Sequence, residues 1–304
     1  MTSATKLYQH TDQIIGPITQ ALSDRQGCVV LICPELAHVK QWCQRLAQYQ
    51  PVVVEARRAV SVRTAFQALL QHQSTILVGT KRLALLPLTE AAVVIVIDPE
   101  DPAQQQWDQR PRYDVLTVAE QQGPVLCFSQ APLVEQVVRH QVDTSLLDDA
   151  LLPEIVTLNP AALLDVIQRH DRIVLWHNRT EASLVKRLQK AFPDRPVVEV
   201  TSATKCVVPE PGSILIGTSA IFSRIPWDHV TAAVATSLDA QLAFPDYRSH
   251  EHTLQQLIQL RNRVTQLYMA TYAPAHPVVQ AVHQTYPAQW YSDTILERKR
   301  FHYL

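Results

Sequence analysis

Glycine is nearly missing from this sequence, with 6 among 304 residues, against a usual share of ~7%. A backbone this poor in glycine can build few of the loops that wrap closely around phosphate groups. Paired cysteines are missing too. The five cysteines, at 28, 33, 43, 127 and 206, form no C-x-x-C pair, which excludes a zinc ribbon and argues against a disulfide framework; they read as reduced thiols of a cytoplasmic protein. No apolar run approaches the ~18 residues of a membrane span. Met1-Thr2-Ser3-Ala4-Thr5-Lys6 has no apolar core behind a basic start, so neither a membrane partner nor a secretory leader is expected. An excess of one charge is also lacking. The 27 Lys and Arg stand against 28 Asp and Glu, so any contact with a polyanion must come from local patches. What is present is a hydrophobic share of 47%, enough for a packed core and incompatible with a disordered chain.

Short β-branched runs alternate with longer amphipathic stretches. Cys28 to Cys33, Val52 to Val54, Thr75 to Val78, Val93 to Ile97 and Pro124 to Phe128 read as buried strands, with helices over Glu35 to Tyr49 and Val62 to Gln71. A polar stretch over Asp143 to Asp149, followed by Pro153 and Pro160, reads as a linker. The pattern then restarts: strands at Arg172 to Trp176, Val197 to Val200, Ser213 to Ile216, Val230 to Ala235 and Tyr268 to Tyr272, and helices over Glu181 to Phe192, His250 to Gln266, Pro277 to Tyr286 and Pro287 to Arg300. Strands separated by helices predict mainly parallel sheets. The expected architecture is two tandem α/β domains, residues 1–150 and 151–304. In each half a buried strand runs into Gly-Thr, at Gly79-Thr80 and Gly217-Thr218. Ligands of open α/β sheets sit beyond the carboxyl ends of the strands, where a glycine allows close approach.

Several stretches, in order, resemble the primosomal replication-restart helicase family (PriA, primosomal protein N′). Cys33-Pro34-Glu35-Leu36-Ala37 with Gln41, Val78-Gly79-Thr80-Lys81-Arg82, Ile97-Asp98-Pro99-Glu100-Asp101, Pro111-Arg112-Tyr113 and Ser129-Gln130-Ala131-Pro132 carry the likeness in the first half. Leu175-Trp176-His177-Asn178-Arg179, Ile214-Leu215-Ile216-Gly217-Thr218, Phe244-Pro245-Asp246-Tyr247-Arg248 with Glu251, and Tyr272-Ala273-Pro274-Ala275-His276-Pro277 carry it in the second. The resemblance implies two RecA-like domains of a superfamily 2 helicase core, and DNA, forked or single-stranded, as partner, with replication or primosome proteins beside it. It implies nucleic-acid contacts from Gly79, Thr80, Lys81, Arg82, Gly217, Thr218 and the cleft-facing Arg261. Arg110, Arg112 and Tyr113 combine cations with a ring on which a base can stack, and are candidates for the same contact.

The departures point to lost catalysis. The family's phosphate loop, G-x-x-x-x-G-K-[ST], has no counterpart; in register it falls at or before Met1, with Thr2 to Tyr8 as a glycine-free remnant. Asp98 survives as a metal-binding acid, but the water-positioning glutamate is replaced by Pro99, leaving Glu100 and Asp101 beyond it. Of two phosphoryl-stabilising arginines one is Leu260 and the other persists as Arg263. Asp98, Glu100 and Arg263 are therefore catalytic remnants, and ATP and Mg²⁺ are expected only if an alternative reading, an active ATP-dependent DNA helicase, holds. No zinc is expected, because Cys206 stands alone where the family carries its cysteine-rich insertion. His250, His252, His276 and His283 show no metal-ligand spacing, Ser129 and Ser223 have no triad partners, and Arg298-Lys299-Arg300 reads as a solvated basic cluster.

Overall fold

The computed structural model describes residues 3–23, 27–55, 58–107, 110–177, 182–236 and 238–304. They fall into two compact units, one running to Leu147 and one spanning Asp148–Tyr303. In the first, β1 (Ala4–Leu7) leads through a 3-10 turn at Thr11–Ile14 into α1 (Ile15–Ser23). β2 (Val29–Ile32) precedes α2 (Leu36–Arg45), and β3 (Val52–Val54) precedes α3 (Ala59–Leu70). β4 (Ile76–Gly79) and β5 (Val93–Ile97) follow. A small antiparallel hairpin, β6 (Gln105–Gln106) with β7 (Tyr113–Asp114), runs into α4 (Val115–Gln122). β8 (Val125–Ser129), α5 (Val134–Arg139) and β9 (Gln141–Asp143) close the unit. The main sheet is parallel, in the order β3-β4-β2-β5-β8-β1-β9.

The apolar runs are continuous because helices cover both faces of this sheet. Val29 and Leu31 pack with Ile18, Val39 and Trp42. Their neighbours Val30 and Ile32 point the other way, onto Ala65, Leu69, Val115 and Leu116.

The second unit contains β10 (Glu154–Leu158), α6 (Leu163–Arg169), β11 (Ile173–Trp176), α7 (Ala182–Ala191), β12 (Val197–Val200), β13 (Ile214–Gly217), α8 (Ile221–Arg224) and β14 (Ala232–Ala235). α9 (Leu238–Leu242), α10 (Ser249–Arg261), β15 (Gln266–Ala270), α11 (Pro277–Val282) and α12 (Ala288–Arg300) complete it. Its sheet is also parallel, ordered β10-β15-β14-β11-β13-β12. Leu163, Val166, Ile167, Leu184 and Leu188 cover one face through Ile173, Leu175, Ile214 and Ile216. Val174 and Leu215 are buried on the opposite face. No helix among the described residues is long and apolar enough to cross a membrane.

Three expectations change. Residues 4–7 are no loop remnant: they form β1, paired with β8 and β9, with Thr5 and Leu7 buried. Within the expected linker lies β10, an edge strand whose residues remain half-buried or exposed. The helix expected to reach Gln266 stops at Arg261, and Gln266 opens β15.

Candidate functional site

Parallel strands deliver their carboxyl ends to one edge of the first sheet. Leu7 pairs with Ser129 and Ile97 with Phe128, so Tyr8, Asp98 and Ser129 emerge side by side. Tyr8 is 2% exposed, and its hydroxyl donates to Asp98 Oδ1 at 2.7 Å. Gln130 Nε2 donates to the same hydroxyl at 3.3 Å. Asp98 holds a left-handed backbone, φ 45°, a conformation that costs energy outside glycine and asparagine and tends to persist where surroundings fix it. Burial, reinforced by the Asp98 charge, pushes the Tyr8 phenol well above its usual range, so it stays a donor.

Glu100 lies beside this pair at 8% exposure. Its carboxylate accepts from Ser129 Oγ at 2.8 Å and from the amides of Gln130 and Ala131 at 3.1 and 3.2 Å. Burial, then the nearby Asp98 charge, raises its pKa from 4.5 to about 8. Asp98 and Glu100 are therefore engaged by the protein itself.

The connection from β1 toward α1 is equally occupied. Only Tyr8-Gln9-His10 separates β1 from the 3-10 turn. The amides of Gln9 and His10 both donate to Gln13 Oε1, at 2.7 and 2.9 Å. Lys6, the one lysine nearby in sequence, reaches Asp143 Oδ2 at 2.8 Å.

A basic, aromatic patch stands on the same unit. Lys81 Nζ donates to the Gln105 carbonyl at 2.8 Å, and Tyr113 Oη donates to the Lys81 carbonyl at 3.2 Å. These bonds tie the segment after Gly79-Thr80 to the β6–β7 hairpin. Arg82 is exposed, and its charge offsets part of the burial that raises the Tyr113 phenol. The β6–β7 connection carries the exposed Arg110 and Arg112, and Trp107 at its start is exposed with Nε1 on Gln105 Oε1. Lys81, Arg82 and Tyr113 are thus brought together. Trp107, in the same connection, is 62% exposed; a tryptophan between polar residues carries no periodicity, so the sequence did not single it out.

The two strand-end glycines have an internal explanation. A Cβ on Gly79 would lie 3.0 Å from the Val54 carbonyl and 2.9 Å from Leu83 Cδ1. One on Gly217 would lie 2.4 Å from the Val200 carbonyl and 2.9 Å from Ile221 Cγ2. In both units what approaches the glycine is the edge strand and the side chain four residues on. Thr80 and Thr218 follow these glycines half-buried.

In the second unit Arg261 is a correction. It is 1% exposed and donates to the carbonyls of Val282 and Gln284 at 2.9 and 2.6 Å, at the end of α11. Helix ends present unpaired carbonyls and a partial negative charge, and a buried guanidinium satisfies both. Burial lowers its pKa to about 10. Arg261 therefore holds the fold and offers nothing to a ligand. Arg263 sits over two rings, 5.0 Å from Phe222 and 5.7 Å from Trp227. Leu260, at the other arginine position, is fully buried. Arg298 is likewise not solvated: it pairs with Glu251 at 2.8 Å in the interior. Asn178 and Arg179 lie outside the described residues. Among the described residues no group of three or more His, Cys, Asp or Glu is gathered as metal ligands.

No family model matches the chain. A stretch of 75 residues is 35% identical to the replication restart protein PriA of Synechocystis sp., taking in 23% of this chain and 9% of that protein. Over 96% of its length the chain superposes on 89% of a Saccharomyces cerevisiae Dbp5 variant bound to RNA and ADP BeF3, with TM-score 0.53 and 10% identity. It superposes over 89% of its length on 66% of the DEAD-box helicase Mss116 bound to ssRNA and UDP-BeF, with TM-score 0.50 and 11% identity. The fold is that of the tandem RecA-like cores of DEAD-box helicases, two parallel-sheet α/β domains.

Proposed function

We propose that this chain is a helicase-like protein of the replication-restart type that binds DNA, forked or single-stranded, and no longer turns over nucleotide. The observation that carries the reading is the Tyr8–Asp98 hydrogen bond at 2.7 Å. In nucleotide-binding α/β folds a strand opens through a glycine-rich turn into a helix, and the turn's amides face the phosphates. By its place in the sheet the corresponding strand is β1 and the corresponding turn Tyr8-Gln9-His10, later in the chain than the register expected from the sequence. It has no glycine, its amides at Gln9 and His10 are taken by Gln13, and a buried phenol lies against the acid that would hold a metal. These residues do not fit a triphosphate.

The remaining catalytic positions support the same reading. Pro99 has no carboxylate to orient a water, and Arg263 lies on Phe222 and Trp227. A phosphoryl-stabilising arginine alone contributes ~10³–10⁵ in rate, so the combined losses remove useful turnover. DNA would be held by Lys81, Arg82, Arg110 and Arg112 through phosphates, with Tyr113 and Trp107 as stacking surfaces. Replication or primosome proteins are the partners this reading calls for.

The test is ATP hydrolysis by the purified chain with and without forked DNA. No turnover is expected in either case. Stimulated turnover near ~1 s⁻¹, in the ordinary enzyme range, would select the active DNA helicase instead.

A further inference from the structure

At the end of the second unit an arginine–tyrosine ladder is built from two distant segments. Tyr247 and Tyr303 stack with ring centroids 4.5 Å apart and planes 6° from parallel. The guanidinium carbons of Arg298 and Arg248 lie 5.1 and 5.4 Å from the Tyr247 ring. Nothing about the geometry is left to a loose tail. Arg298, 2% exposed, pairs with Glu251 at 2.8 Å and donates to the Tyr247 carbonyl at 3.3 Å, pinning α12 to the segment before α10. α12 then stops in a Schellman arrangement: the amide of Tyr303 donates to the Arg298 carbonyl at 2.8 Å, and that of His302 to Lys299 at 3.2 Å. His302 takes the left-handed conformation this requires, φ 59°, a position that glycine fills at less cost. The turn delivers the Tyr303 ring onto Tyr247.

The assembled surface is aromatic and cationic. Tyr303 is 55% exposed and Tyr247 45%, an unusual outlay of ring surface to water. Arg300, 5.8 Å from the Phe301 ring, and Lys299 are exposed beside it. The acids beside the ladder residues are Glu251, already paired with Arg298, Asp246, which accepts from the Arg248 amide, and Glu297, next to Arg298 in sequence. The outer face of Tyr303 can take a base as a further layer of the stack, and the exposed Lys299 and Arg300, rather than the Glu251-paired Arg298, supply charge for the backbone.

We propose that the Tyr247–Tyr303 stack is a base-stacking platform for single-stranded DNA, a contact additional to the Lys81 patch of the other unit. The choice of DNA rests on the function proposed above; the platform itself rests on the ladder. The test is fluorescence anisotropy with labelled oligothymidylate. Tyr303→Ala is expected to weaken binding about tenfold with unchanged thermal melting and an unchanged salt slope. Tyr303→Phe is expected to restore wild-type affinity, and Arg300→Ala to lower the salt slope by about one unit. Wild-type affinity in Tyr303→Ala overturns the platform. If Tyr303→Ala weakens binding while replacement of Lys81 and Arg82 does not, the platform stands and the role of the other patch falls. No binding by the wild-type chain overturns both. Tighter binding of labelled oligouridylate than of oligothymidylate overturns DNA as the ligand.

Discussion

Tyr8 and Asp98, ninety positions apart in sequence, meet through a 2.7 Å hydrogen bond at the carboxyl edge of the first sheet. The strands that carry them, β1 and β5, are separated by β8 alone. Nothing local brings the two together; the parallel register does. The bond gives the buried Tyr8 hydroxyl an acceptor on a residue whose backbone is left-handed. Replacing Tyr8 by Phe should leave Asp98 without this donor and cost about 1–3 kcal/mol. Tyr8→Ala should cost more, about 3–5 kcal/mol, through the cavity. Urea denaturation measures both, and neither variant should gain ATP turnover.

Glu100 gives stability a pH dependence of definite sign. Its folded-state pKa, about 8, lies above the ordinary 4.5, so between these values the folded chain holds a proton that the unfolded chain has released. The stabilisation is complete below about pH 4.5 and is lost as pH rises toward 8, with a slope approaching 1.4 kcal/mol per pH unit, on the order of one proton. Denaturation midpoints measured across that window should fall with pH in the wild type. Glu100→Gln should flatten this part of the curve. A wild-type midpoint that rises across the window would contradict the assignment.

Arg261 and the Lys81–Arg82 pair should separate cleanly in experiment. Arg261→Ala leaves the carbonyls at the end of α11 without their donor, and should lower stability by about 2–4 kcal/mol, seen as an earlier unfolding transition, while the salt slope of DNA binding stays the same. Lys81→Ala with Arg82→Ala should do the reverse: a stability loss of no more than about 1 kcal/mol, from the Lys81–Gln105 hydrogen bond, with weaker binding and a log–log salt slope smaller by about two units.

The matched glycines differ in how much room surrounds them. At Gly217 a methyl group would meet the Val200 carbonyl at 2.4 Å, and backbone must move. At Gly79 the nearest atoms belong to the Leu83 side chain, with the Val54 carbonyl at 3.0 Å. Gly217→Ala should therefore destabilise clearly more than Gly79→Ala, by about 1–3 kcal/mol as an overpacking cost. Equal midpoints for the two variants would show that β12 yields more readily than its pairing suggests.

The central strands were legible because burial on both faces leaves a continuous β-branched run. Val93–Ile97 ends where its run ends; the edge strands Val52–Val54 and Val197–Val200 do so too, their valine-rich runs standing out without full burial. β1 was not, because Ala4-Thr5-Lys6-Leu7 alternates and one polar member, Lys6, reaches Asp143. β10 was hidden for a similar reason: as an edge strand it needs few fully buried residues, and its flanking Pro153 and Pro160 look like linker chemistry. At the site, the lack of glycine between Tyr8 and His10 and the proline beside Asp98 were visible in the letters. The partners these residues find were not. That Tyr8 turns onto Asp98, that Arg261 caps α11, and that Arg298 is interior are facts of tertiary pairing, which residue type and spacing do not encode.

The side chain of Gln13 carries a consequence for the turn after β1. By accepting from the amides of Gln9 and His10 it makes an inward-looking turn self-sufficient. While Gln13 holds them, neither amide is presented to a ligand, and a Gln13→Ala exchange would release both at once, so one side chain decides whether this turn faces inward or outward.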